Sequence, residues 1–145
     1  MSDEVKATNP KDAVGIAKVP FSTIPAQVLG EIGLGLMEGA RKYGRHNYRV
    51  AGVRASVYYD AAQRHQKAWW EGQDTDALSR LNHITKAITT LIVLRDSMLM
   101  GNWVDDRPPR YPNSETWIEE HNAHARWLIE QFPDPIPPHT EKDRP

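Results

Sequence analysis

The sequence predicts a helical protein that begins with an extended N-terminal arm. Apolar residues recur at helical spacing in four segments, prolines interrupt the first segment of the chain, and glycines directly follow two of the predicted helices. The predicted helices cover about residues 25–43, 56–70, 78–100 and 114–131. We therefore divide the chain into an arm, 1–25, a helical domain, 26–131, and a flexible proline-rich tail, 132–145.

The arm is predicted to be extended because Pro20 and Pro25 exclude a continuous helix. Its alternating apolar residues fit a short strand, or an arm that lies over the domain or over a neighbouring subunit. Lys11 and Lys18 could reach an anionic ligand from this arm. The equally simple alternative is that both lysines are solvated.

The first predicted helix opens at Pro25, a residue that suits a first helical turn. The helix contains four glycines, although each glycine costs about 1 kcal/mol of helix propensity relative to alanine. Such a cost is commonly tolerated where a second helix approaches closely. We therefore predict close helix packing along this segment, either within the chain or across a subunit interface.

Two carboxylates mark one face of this helix. Glu31 and Glu38 lie seven residues apart, and two helical turns bring both side chains onto the same face. No basic residue lies between them on that face, so a bound cation is one way to relieve their mutual repulsion. The simpler alternative is the solvated face of an amphipathic helix.

A dense basic segment follows these acids. Lys42, Arg45 and Arg49 are suited to bind phosphates, and Asn47 could read the edge of a purine base. Acids that hold a metal beside bases that hold phosphates are what a nucleotide-cleaving site needs. The alternative is a set of basic residues that complements the negative end of the helix dipole.

The second predicted helix carries Asp60, Arg64 and His65 among several aromatic residues. Asp60 is a candidate metal ligand or water-orienting base, although it could instead pair with Arg64 four residues later. Arg64 and His65 would orient the acids or contact phosphates. The aromatic residues suit a hydrophobic core, which is the commoner use, or a wall on which a base stacks.

An acidic loop precedes the third predicted helix. Glu71, Asp74 and Asp76 could supply oxygen ligands to a hard cation, but their spacing differs from that of an EF-hand, and most such loops are solvated turns. His83 lies near the start of the third helix, close in sequence to these acids. This histidine could be structural, or it could orient the acids or contact phosphates.

Composition excludes several classes of protein. The 145 residues carry a formal net charge of −1, which argues against binding to long nucleic acids. The absence of cysteine excludes disulfides and thiolate metal sites. No secretory signal is visible, and the longest apolar stretch is too short to span a membrane. We therefore expect a cytoplasmic protein.

Several motifs together resemble one family. They are Asn9-Pro10-Lys11-Asp12, Glu38-Gly39-Ala40, Lys42-Tyr43-Gly44, Asn47-Tyr48-Arg49, Ala55-Ser56-Val57-Tyr58-Tyr59-Asp60, Arg64-His65, Ala68-Trp69-Trp70-Glu71-Gly72 and His83-x-Thr85-Lys86. This combination resembles the phage dATP/dGTP diphosphohydrolases, which are MazG-like proteins. The resemblance covers roughly residues 9–97 and leaves out the C-terminal helix and tail.

The resemblance implies an all-α helical bundle of the MazG/HisE pyrophosphohydrolase type, assembled as a homodimer or homotetramer. It implies Mg²⁺ or Mn²⁺ held by acids on the helices. The implied reaction converts a deoxypurine nucleoside triphosphate, dGTP or dATP, to the monophosphate and pyrophosphate. In phages that replace adenine by 2-aminoadenine, such an enzyme supplies dGMP in the host cytoplasm to an adenylosuccinate-synthetase-like enzyme.

Departures from the family pattern decide which acids we assign. The usual MazG pattern has a second acid three residues after the first, but here Leu34 follows Glu31 at that spacing. The loop after the tryptophans also contains fewer acids than the family pattern. We therefore assign Glu31, Glu38 and Asp60 as catalytic metal ligands and treat three loop acids as second-choice metal ligands, namely Glu71, Asp74 and Asp76.

The resulting hypothesis is a metal-dependent attack of water on the α-phosphorus of dGTP or dATP. Three alternatives stay open. A phosphohydrolase of the HD type would release triphosphate, but the sequence lacks an adjacent His-Asp doublet. A non-catalytic helical module could bind a nucleotide or a partner through the same basic segment. A DNA-binding helical protein is disfavoured by the near-neutral charge.

Overall fold

The computed structural model describes residues 9–145, and its regular structure in that range is helical. The predicted all-α class is confirmed, because residues 9–145 contain no strand beyond two isolated backbone bridges. Across the same residues, every helix is too short or too polar to cross a lipid bilayer. The helices are α1 (Pro10–Gly15), α2 (Ala26–Tyr43), α3 (Asn47–Ala51), α4 (Ala55–Trp70), α5 (His83–Met100) and α6 (Trp117–Gln131).

The chain divides into two compact units between Arg107 and Pro108. The division falls in a proline-rich connector, where consecutive prolines prevent helix formation. α6 belongs to the second unit, whereas the sequence prediction placed it in one helical domain, 26–131. The second unit also contains a short 3₁₀ turn, Glu141–Asp143, within the tail predicted to be flexible.

The prediction of an extended arm is wrong over residues 10–15, which form α1. The reason is local: the Asn9 side chain accepts a hydrogen bond from the Lys11 backbone N–H at 3.1 Å, and Pro10 fits the first turn. A second short turn of 3₁₀ type, Phe21–Thr23, follows before α2. The part of the arm in residues 1–8 lies outside the described residues.

α5 is the central helix of the first unit, as its apolar sequence predicted. It packs most extensively against α4 and also against α2 and α3. The apolar core of the described residues is small for a chain of this length, because most large apolar side chains keep part of their surface exposed. Its buried members are Val53, Ala55, Ala62 and Ala87.

α5 begins later than predicted, at His83 rather than near residue 78. The Asp76 carboxylate explains the delay, because it accepts hydrogen bonds from the backbone N–H and the hydroxyl of Ser79, at 2.8 and 2.6 Å, and so holds a turn. The Asn82 side chain then caps the helix by accepting a bond from the Ile84 N–H at 2.8 Å.

Close packing of α2 is confirmed at one of its four glycines. A Cβ placed on Gly35 would meet the Cγ2 of Thr89 on α5 at 2.6 Å, so only glycine permits this approach. At Gly30, Gly33 and Gly39 an added Cβ would meet nothing within 4 Å, so packing within the described residues does not account for these glycines, and packing across a subunit interface stays a prediction there.

Gly35→Ala is expected to lower the free energy of unfolding by about 1–3 kcal/mol, because the added methyl group must push α2 away from α5. Gly30→Ala is the matched control on the same helix, and its better helix propensity should raise stability by up to about 1 kcal/mol. Urea denaturation measures both variants. Equal stability of the two variants would contradict the close approach at Gly35.

Candidate functional site

A cleft of about 400 Å³ opens beside α2 and α5. We call it the α2–α5 cleft. It is lined by the last turns of α2, the turn that leads into α3, one face of α5 and Tyr58 of α4. Its charged and polar lining residues include Glu38, Lys42, Arg45, Asn47 and Lys86.

Glu38 is an acid that lines this cleft. Its Oε1 accepts hydrogen bonds from Lys42 Nζ at 2.8 Å and from Lys86 Nζ at 3.3 Å. The bond from Lys42 holds the pKa of Glu38 below its ordinary value, partial burial opposes this effect, and Lys86 reinforces it. Its Oε2 is buried and has no hydrogen-bond partner among residues 9–145.

Lys86 connects two acids that come from different segments. Its Nζ lies 3.3 Å from Glu38 Oε1 and 3.4 Å from Asp76 Oδ2, and its side chain is only 18% exposed. Hydrogen bonds from Ser79, with a further contribution from Lys86, hold the pKa of Asp76 well below its ordinary value. The acidic loop, α2 and α5 therefore meet in one carboxylate–ammonium–carboxylate group.

Glu31 faces the same neighbouring helix as Glu38. Its Oε1 accepts a hydrogen bond from the Thr85 hydroxyl of α5 at 3.0 Å. A rise of about 1.5 Å per residue separates the two glutamates by about 10 Å along α2. The pair therefore shares a face, as the spacing predicted, without sharing a single hydrogen-bond partner in the contacts observed.

Two histidines contact each other between α4 and α5. The Nδ1 atoms of His65 and His83 lie 2.8 Å apart, so one ring nitrogen donates a hydrogen bond and the other accepts it. Burial lowers the pKa of His65, and the positive charge of Lys86 lowers it further. His83 is buried, its Nε2 has no partner in the described residues, and its backbone N–H donates to the Asp74 carbonyl at 2.8 Å.

Other predicted site residues lie elsewhere. Arg49 donates two hydrogen bonds to the Asp96 carboxylate, each at 3.0 Å, so its guanidinium is already paired. The remaining residues are exposed and do not line the α2–α5 cleft: Lys11, Lys18, Asp60, Arg64, Glu71 and Asp74. The cleft thus brings together the predicted residues Glu38, Lys42, Arg45 and Asn47.

The structure also adds residues that the sequence prediction left out of the site. Lys86 is the most important, because its charge lies between two candidate acids. Its position three residues after His83 was the available signal in the sequence. Three tyrosines line the cleft as well, namely Tyr43, Tyr48 and Tyr58.

The residues of the cleft fit a hard divalent cation in part. Within residues 9–145, no three histidine, aspartate or glutamate side chains converge as a ligand set. Mg²⁺, however, is commonly held by one or two carboxylates together with substrate phosphates and water. The unpartnered Oε2 of Glu38 is a carboxylate oxygen that such a cation would satisfy.

Comparison with known proteins identifies a family. A family model described as dATP/dGTP diphosphohydrolase, N-terminal, matches residues 8–107, which is more than two-thirds of the chain. No curated protein and no solved structure matches the chain significantly. The match includes α2, α4, α5 and the α2–α5 cleft and ends where the first compact unit ends.

The lowered pKa of Glu38 predicts a specific loss of stability in acid. The ionised carboxylate stabilises the fold above its ordinary pKa of 4.5, and this contribution is lost as the pH falls through the lowered folded-state pKa. Between pH 7 and pH 3, the wild type should therefore lose more free energy of unfolding than Glu38→Gln. Glu71→Gln, at an exposed position, is the control. An equal loss of stability in the wild type and in Glu38→Gln would contradict the ion pairs of Glu38.

Proposed function

The chain belongs to the dATP/dGTP diphosphohydrolase family, and from that premise we propose that it hydrolyses dGTP and dATP within the α2–α5 cleft. The family makes the chain a nucleoside triphosphate diphosphatase. The products of the proposed reaction are the deoxynucleoside monophosphate and pyrophosphate. The observation that carries the location is the meeting of Glu38 with Lys42 and Lys86 in an open cleft.

The positive side chains of the cleft suit a triphosphate. Lys42, Lys86 and Arg45 line the same opening, and each can neutralise phosphate charge that increases as pyrophosphate leaves. Lys42 and Lys86 are paired with Glu38 before substrate arrives. Their ammonium groups retain further N–H donors for phosphate oxygens, because an ammonium group has three.

The reaction forms one bond to phosphorus and breaks another. A water oxygen attacks the α-phosphorus, and the bond from that phosphorus to the oxygen bridging to the β-phosphate breaks. Pyrophosphate departs with the electron pair, and the proton that the attacking water loses passes to the solvent. Glu38 is ionised at neutral pH because its pKa is lowered, so it can accept a hydrogen bond from the attacking water and orient it. Lys86 positions Glu38 by holding one of its oxygens.

A divalent cation, Mg²⁺ or Mn²⁺, is part of the proposal. Glu38 is the first candidate ligand because of its unpartnered oxygen, and Asp76 and Glu31 face the same helix, α5. When bound, such a cation polarises phosphate oxygens and lowers the pKa of a bound water. Asp60, Glu71 and Asp74 stay candidate ligands from the sequence alone.

The proposal includes assembly of the chain with further copies of itself, as a homodimer or homotetramer. The support is the small apolar core together with large apolar side chains that remain exposed on α2 and α5. On α5 these include Leu91, which is 42% exposed, and Leu99, which is 70% exposed. Their burial against a second copy would remove apolar surface from water.

In a phage that uses 2-aminoadenine, the monophosphate product would be dGMP for the next enzyme of that synthesis, in the host cytoplasm. Hydrolysis of dATP in the same site would deplete the competing nucleotide. The supply of dGMP and the depletion of dATP are both proposed from the family resemblance alone.

Glu38→Gln is expected to lower turnover of dGTP by about 100-fold or more, because the amide cannot provide the anionic oxygen that orients water or binds a cation. The assay separates dGMP and pyrophosphate from substrate by ion-exchange chromatography, with Mg²⁺ or Mn²⁺ present. Release of triphosphate instead of pyrophosphate would contradict the proposed reaction.

The same assay tests the role of Asp60 and the need for a divalent cation. Asp60→Asn decides whether this exposed residue belongs to the site, since normal turnover would exclude it. Chelation by EDTA should abolish turnover, and added Mg²⁺ or Mn²⁺ should restore it. Full turnover in EDTA would contradict metal dependence, and no turnover of any deoxynucleoside triphosphate would favour a binding module.

Leu91→Glu is expected to weaken self-association, because a charge would replace an apolar side chain at the surface proposed to be buried. Light scattering after size-exclusion chromatography should give a multiple of 16.5 kDa for the wild type and a smaller mass for the variant. Ile136→Glu, at an exposed position in the tail, is the control. A wild-type mass of one chain would contradict the assembly.

A further inference from the structure

The glycines of α2 do not share one structural explanation. Gly35 permits the close approach to Thr89, whereas Gly30, Gly33 and Gly39 have open space where a Cβ would stand. Gly30 lies outside the α2–α5 cleft, and Gly33 and Gly39 line it. Glycine lowers helix propensity by about 1 kcal/mol relative to alanine, so the bare backbone at Gly39 has a cost that the packing of residues 9–145 does not explain.

Gly39 lies between cleft residues of two chemical kinds. Lys42 and Tyr43 come three and four residues after Gly39, so they flank it in the next turn of α2. Lys42 and Lys86 contact Glu38, whereas Tyr58 of α4 lines the cleft as Tyr43 does. Burial raises the pKa of Tyr58, and the charge of Tyr43 raises it further.

A deoxynucleoside triphosphate likewise has a charged part and a flat, largely apolar part. Its phosphates are highly charged, its base is flat and largely apolar, and the sugar joins the two parts. Charged lysines suit the first part, and tyrosine rings suit the second because a base can stack on their faces. A substrate that contacted cleft residues of both kinds would cross α2 at Gly39.

We propose that the nucleoside half of the substrate lies directly against the backbone of α2 at Gly39. The phosphates then lie towards Lys42 and Lys86, and the base lies towards Tyr43 and Tyr58. Gly39 is a steric determinant of nucleotide binding, because any side chain at this position would occupy the space of the sugar. The inference rests on the proposed function and adds to it the direction in which the nucleotide lies.

Two substitutions of different size test this inference. Gly39→Ala adds one methyl group in open space, and Gly39→Leu adds a larger side chain that also favours a helix. Both variants should fold with an unchanged or higher thermal midpoint. The KM for dGTP should rise for alanine and rise further for leucine, by about tenfold or more. Gly30→Ala is the matched control and should leave KM unchanged.

Tripolyphosphate separates contact with the nucleoside from contact with the phosphates. As a competitive inhibitor that lacks sugar and base, it should inhibit the wild type and Gly39→Leu with the same inhibition constant. An equal weakening of dGTP and tripolyphosphate would overturn the inference, because it would place the phosphates over Gly39. An unchanged KM for dGTP in Gly39→Leu would overturn it as well.

Two further results distinguish nucleotide binding at Gly39 from self-association and from a failure of the proposed reaction. If Gly39→Ala changed the oligomeric state in light scattering, a second copy and not the nucleotide would occupy the space at Gly39, and the inference would be wrong. If the wild type released no pyrophosphate from dGTP, the proposed function itself would fail. Normal wild-type turnover with an insensitive Gly39→Leu would reject this inference alone.

Discussion

The ammonium group of Lys86 is the contact on which the arrangement of the cleft depends. It lies 3.3 Å from Glu38 and 3.4 Å from Asp76, so one side chain of α5 joins α2 to the acidic loop. Without a positive charge at this point, two partly buried carboxylates would repel each other and favour protonation. The close approach of the helices at Gly35 sets the separation across which Lys86 reaches Glu38.

Local signals in the sequence were sufficient for much of the fold. Gly44 and Gly101 end α2 and α5 with positive φ angles of 93° and 73°, a conformation that glycine adopts without strain. The beginning of α5 could not be predicted in the same way. It depends on the turn that Asp76 holds through Ser79, and a run of apolar residues gives no sign of such a turn.

Some features of the candidate site were also predictable from local sequence, and others were not. Helical periodicity was enough to place Glu31 and Glu38 on one face, because both belong to the same helix. The contact of Lys86 with Glu38 joins residues 48 apart in sequence, and the pair of Arg49 with Asp96 joins residues 47 apart. Such pairs depend on how α2, α3 and α5 pack together, so the sequence showed Arg49 only as one basic residue among several.

The pairing of Arg49 has a consequence for α3, in which the basic segment ends. Asp96 holds the Arg49 side chain, and the Asn102 amide donates to the backbone carbonyls of Tyr48 and Arg49 at 3.2 and 2.9 Å. α3 is therefore anchored before any nucleotide arrives. Its conformational entropy is lost when the chain folds, so that phosphate binding need not order this backbone and retains more of its favourable free energy.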